Sequence, residues 1–220
     1  TTSCAPMVST PVLSLLLFSA VLINQTGRVM VPSVMTTILA DPDFDMTADK
    51  RGFMLAIVSA VCLGGKFLGA AITDKLGGWL VLVAVFAGYL LSSAAMILTT
   101  NTDVFAVGWW VNSLAYTMAW GAACQVIGVT FAEEERPTQL SRIASASRFG
   151  ATLGSMFFGA LLKAGYTWRN ALMPIVPMQV WPAAATLHEA ATRGRNPASL
   201  LASRPPPCAL AAERTAFSFW

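Results

Sequence analysis

Arg28 and Lys66 are the two residues from which chemistry can be argued. Each stands inside a long apolar run, residues 12–39 for the arginine and 53–73 for the lysine. In hydrocarbon a charge at mid-span costs roughly 2.5–3.5 kcal/mol on insertion scales, so it is seldom kept without a use. The plain alternative is an ion pair with a buried acid. No Asp or Glu lies within the apolar runs, and Asp74, at a helix end, comes nearest. Lys66 lies about eight residues from the nearest end of its run, roughly 12 Å of helix, which is far for snorkelling. Two cations without an internal partner imply that the partner is brought in as an anion, through a water-filled cavity. A guanidinium offers a rigid fork matched to phosphate or carboxylate, and an ammonium adds a mobile point charge.

The elements that must hold them follow from composition. Only 11% of the 220 residues are charged and 55% are hydrophobic, with a mean hydropathy of +0.62. Ordinary globular domains carry about 25% charge. Disorder, a disulfide scaffold and a nucleic-acid-binding protein are excluded together. The chain reads as an all-α, multi-pass integral membrane protein in a lipid bilayer. Apolar windows predict clear spans at 12–39, 53–73, 79–98, 104–131 and 143–162. A weaker sixth at 171–187 is interrupted by Pro174, Pro177 and Pro182, so it is kinked or interfacial. Backbone groups in lipid must bond internally, and without strand alternation the spans are helices. Short connections (74–78, 99–103 and 165–169) make sequential helices antiparallel, as an up-and-down bundle.

Lys75, Arg136, Arg142, Arg148, Arg193, Arg195, Arg204 and Arg214 fall on one side of that bundle, against Lys50, Arg51, Lys163 and Arg169 on the other. The positive-inside rule then places both termini in the cytoplasm. Residues 1–11 read as a short cytoplasmic segment without a secretory signal, and 12–187 as the transmembrane body. Residues 188–220, with Pro205–Pro207 and no periodicity, read either as a disordered cytoplasmic tail or as an artefact of the gene model. The four cysteines are too scattered for a metal site and read as packing thiols. No cofactor, metal cluster or nucleophile–base pair is expected.

Gly65 and Gly69 form one small-residue face and Gly150 and Gly154 another, suited to close helix approach. The stretch 70–78 reads small residue, acid, base, glycine: Ala70, Asp74, Lys75, Gly77. It resembles the signature loop between helices two and three of the major facilitator superfamily. Glu135-Arg136 before span five, Gly150 within it and Trp168-Arg169 after it fit as well. The resemblance covers about residues 12–187 and implies the N-terminal six-helix half of a fold normally built from twelve helices. A missing C-terminal half, or a second chain, would then be needed for transport.

Within that superfamily the chain is most similar to the organophosphate:phosphate antiporters. Arg28 followed by Pro32 matches their substrate arginine, and Lys66 their helix-two lysine. Trp120 matches a residue before a small-residue run in helix four. Gln25 and Cys62 stand where that group has tyrosines, one turn before each cation, and Ser147 where it has a histidine. The resemblance therefore implies substrate contacts at Arg28, Lys66, Trp120 and Gln25, and a gating loop at Ala70, Asp74, Lys75 and Gly77. It implies a secondary transporter, not an enzyme, moving a small anion by alternating access, a phosphate ester exchanged for phosphate. The absence of an acid from the spans agrees with exchange, which needs no proton relay. The alternatives are an anion:cation symporter for carboxylates or nitrate, and a truncated fragment that does not transport.

Overall fold

The computed structural model describes residues 10–194. They form α1 (Thr10–Leu39), α2 (Ala48–Leu76), α3 (Gly78–Leu98), α4 (Thr102–Thr130), α5 (Arg136–Lys163), α6 (Trp168–Leu172) and α7 (Ile175–Gly194). The five long helices match the five clear spans. The weak sixth is the pair α6 and α7, broken at Met173-Pro174. Pro174 has no N–H to donate to the helix ladder, although Met173 before it keeps helical backbone angles, φ -50° and ψ -41°. Pro182 is carried inside α7.

Helices extend further than the apolar windows. Asp74 and Lys75 belong to the last turn of α2, and the only residue between α2 and α3 is Gly77. The predicted loop over 74–78 is thus a one-residue corner. Its backbone has φ +86° and ψ 148°, accessible in practice to glycine alone, and its N–H closes on the Thr73 carbonyl at 2.8 Å. The loop expected over 132–142 shortens likewise, because α5 starts at Arg136 behind Pro137, a residue suited to a first turn. Helix α7 runs past 187 to Gly194; the remainder of the expected tail lies outside the described residues. This extension makes Glu189 helical, and it is buried at 5% exposure, an acid that the span census left out.

Among the described residues, α1, α2 and α3 are both long and apolar enough to cross a membrane by length and composition. Helices α4 and α5 are of similar length, at 29 and 28 residues, and α5 is the more polar of the two. Two apolar cores stack along the bundle, one built around Leu17, Leu82, Phe86 and Ile143, the other around Met30, Phe44, Phe105 and Trp168. Between them lie buried Asn24, Gln25 and Thr26 of α1, Ser93 of α3, and Asn112 of α4. Asn112 Nδ2 donates to Ser93 Oγ at 3.3 Å. Such internal pairing is what a polar group away from water requires.

Glycines set the close approaches. Gly150 packs on the Leu22 carbonyl and Gly154 on Val29 and Thr26, so α5 approaches α1 closely. Gly65 packs on Thr117 and Gly69 on Met118, bringing α2 onto α4 in the same way. Van der Waals contact of this kind takes the place of hydrophobic association where the solvent is itself apolar.

Candidate functional site

Arg28 leaves α1 between the two apolar cores and reaches α4. Its Nη1 donates to the Tyr116 hydroxyl at 2.9 Å, and its guanidinium carbon lies 4.5 Å from the centre of the same ring. The side chain is nonetheless exposed, and no carboxylate pairs with it among the described residues. Tyr116 is neutral, so the guanidinium is oriented while its charge remains uncompensated. Tyr89, fully buried on α3, stands behind this pair and donates to the Asn24 carbonyl at 3.2 Å.

Lys66 lies on α2, which packs on the same turn of α4 through its glycine face. Its neighbour Gly65 rests on Thr117, the residue after Tyr116. Lys66 is exposed, with no hydrogen bond or ion pair among the described residues. Trp120, one helical turn beyond Tyr116, is 43% exposed. Residues four apart share a helix face, so Tyr116 and Trp120 present one aromatic edge beside Arg28.

Gln25 is placed differently from the substrate contact expected of it. It is buried at 7% exposure, packed where α1 meets Gly150. Three residues before Arg28 on a helix is a rotation of about 60°, enough to turn it from the open face toward α5. Cys62 is half-buried on α2, and Ser147 half-buried and Arg148 exposed on α5. Ala70, Asp74 and Lys75 are exposed along the end of α2, far in sequence from the arginine's turn of α4.

Tyr116 is the residue that sequence reasoning missed. Uncharged and set in an apolar helix, it announced itself only by standing one turn before Trp120. A cleft of about 380 Å³ lies elsewhere, at the α4–α5 end, lined by Pro11, Glu134, Glu135, Thr138, Gln139 and Arg142. It shares no residue with the Arg28 turn.

The Major Facilitator Superfamily family model matches residues 17–196, most of the chain. The chain belongs to the Major Facilitator Superfamily. It is accordingly an integral, multi-pass membrane protein from a family of transporters rather than enzymes, and its bundle corresponds to half of the family's fold. A triacylglyceride transporter of Mycolicibacterium hassiacum is 24% identical over 165 residues, covering 72% of this chain and 30% of that protein. Among solved structures, the proton:xylose symporter XylE bound to 6-bromo-6-deoxy-D-glucose superposes with a TM-score of 0.70 at 12% identity. That match covers 91% of this chain and 50% of the symporter. A bacterial homologue of the human lysosomal transporter Spinster, inward-facing and unoccupied, gives a TM-score of 0.59 at 17% identity, over 92% of this chain and 54% of that one. The chain thus spans about half the length of these solved relatives and less of the curated one. At these identities the structures speak for the fold alone.

Proposed function

We propose that this chain is the N-terminal half of a secondary transporter for a small anion, a phosphate ester exchanged for phosphate by alternating access. The observation that carries the reading is Arg28: a guanidinium at mid-helix, exposed, held by a neutral phenol and faced by no carboxylate among the described residues. Lys66, exposed on α2, would supply a second positive charge. An empty cationic cavity is costly to occlude, and an anion lowers that cost, so the two halves rock mainly when loaded. The second six-helix half would complete the surroundings of Arg28 and Lys66, both of which are exposed. The triacylglyceride of the mycobacterial relative's name has no charged group for this site to grip.

The test is exchange in vesicles. The chain is reconstituted alone and together with a second six-helix half, the vesicles are loaded with phosphate, and uptake of labelled glycerol 3-phosphate is followed. Exchange that requires internal phosphate and leaves external pH unchanged is the expected result. Uptake that is indifferent to phosphate refutes the reading.

One observation favours symport as the second reading. Glu189 is a buried carboxylate on α7, the kind of group that proton relays use. Anion uptake coupled to proton movement across the vesicle, and lost in Glu189→Gln, would decide for that reading.

A further inference from the structure

This inference rests on the anion-binding role proposed for Arg28 and concerns how that side chain is aimed. A guanidinium carries five N–H bonds in one plane. In this chain one of them, on Nη1, is taken by the Tyr116 hydroxyl at 2.9 Å, and the plane is held 4.5 Å from the centre of the Tyr116 ring. No other hydrogen bond or ion pair engages the group among the described residues. Nη1 lies on the same side of the guanidinium as the arginine's own stem. Holding it leaves the opposite edge, Nε and Nη2, whose two parallel N–H bonds form the fork that grips a carboxylate or phosphate side-on.

We propose that Tyr116 is the positioning residue of the site, fixing Arg28 through Nη1 and the ring face so that the Nε–Nη2 edge is presented to an incoming anion. Tyr116 acts through Arg28. An exposed arginine on a long stem otherwise samples many rotamers, and ordering it at the moment of binding weakens affinity. The phenol provides that order in advance. Its backbone is itself fixed, since the next residue, Thr117, is the seat of Gly65 and its hydroxyl donates to the Leu114 carbonyl at 2.8 Å.

The experiment measures binding of inorganic phosphate by titration calorimetry, with the full chain in nanodiscs, for wild type, Tyr116→Phe, Tyr116→Leu and Arg28→Lys. Thermal unfolding of each is recorded alongside. Tyr116→Leu removes both the hydrogen bond and the ring, and is expected to raise the dissociation constant about tenfold while unfolding close to wild type. Tyr116→Phe keeps the ring and is expected to recover part of that loss. Wild-type affinity in Tyr116→Leu, with binding lost in Arg28→Lys, overturns the positioning role and leaves the anion reading standing. Equal loss in both Tyr116 variants, accompanied by lowered unfolding temperatures, overturns it as well, in favour of a structural role. Wild-type protein that binds no phosphate overturns the anion reading itself, and this inference with it.

Discussion

The Thr26 hydroxyl donates to the Gly150 carbonyl at 3.1 Å, in a buried contact between α1 and α5 two residues before Arg28. A further turn along, Gly154 sits on Thr26 itself. The register of Arg28 is therefore set by α5, a helix to which the arginine makes no hydrogen bond among the described residues.

The first prediction follows from that contact. A Cβ at Gly150 meets the Leu22 backbone carbonyl, which cannot rotate away, so Gly150→Leu must push α5 off α1. The expected loss is about 1–3 kcal/mol of stability or more, as for an overpacked core. Gly159→Leu on the same helix, where nothing lies within 4 Å, is the control and is expected to unfold like wild type. Thermal unfolding in nanodiscs checks both.

The corner at Gly77 gives the second. Nothing stands within 4 Å of a Cβ there, so the φ of +86° alone opposes substitution. Gly77→Ala is expected to lose about 1–3 kcal/mol. Gly88→Ala, within α3 and equally open, is expected to hold stability or to gain up to about 1 kcal/mol. A Gly77→Ala chain as stable as wild type would show that the corner can close with an ordinary residue.

A third prediction concerns the opposite end of the bundle. Trp168 Nε1 donates to Asp41 Oδ2 at 2.6 Å, while Arg169 donates to the Ile97 carbonyl at 3.1 Å and to that of Thr99. One short helix thereby ties down the α1–α2 loop and the end of α3. The indole hydrogen bond, foremost, holds the Asp41 carboxyl below its ordinary value of 3.8, and the Asp43 backbone N–H and the charge of Arg169 act in the same direction. A lowered carboxylate stabilises the fold above its ordinary value and ceases to do so as pH falls through the lowered one. Unfolding temperature is accordingly expected to drop between pH 5 and pH 2 by more in wild type than in Asp41→Asn. Equal drops in the two proteins would exclude this linkage.

Much of the architecture was legible because hydrocarbon imposes length and composition on a helix. Where residues 12–39 and 79–98 read as continuous apolar windows, α1 and α3 are found with nearly those limits. Ends were misread where charge was taken for loop. Asp74 and Lys75 continue α2, since a basic residue near a helix C-terminus complements the helix dipole. Glu189 stayed out of view because it follows Leu187, the last residue of the apolar window, although α7 carries it back into the bundle.

Of the candidate site, the cations were legible by the cost of charge in an apolar run, and Gln25 and Tyr116 were not. Which side of α1 faces α5 depends on Gly150 meeting Leu22, a contact between residues more than a hundred positions apart. The pairing of Arg28 with Tyr116 is of the same kind, because composition shows that a cation needs a partner without showing which aromatic residue is near.

The most direct measurement of the central claim is phosphate exchange by Arg28→Lys in reconstituted vesicles, beside wild type. The charge is kept and only the planar fork is lost, and with it bidentate grip. The account predicts that exchange falls by about a hundredfold or more while the variant unfolds like wild type, a ratio corresponding to loss of a charge-assisted hydrogen-bond pair. Exchange at the wild-type rate in Arg28→Lys would contradict it.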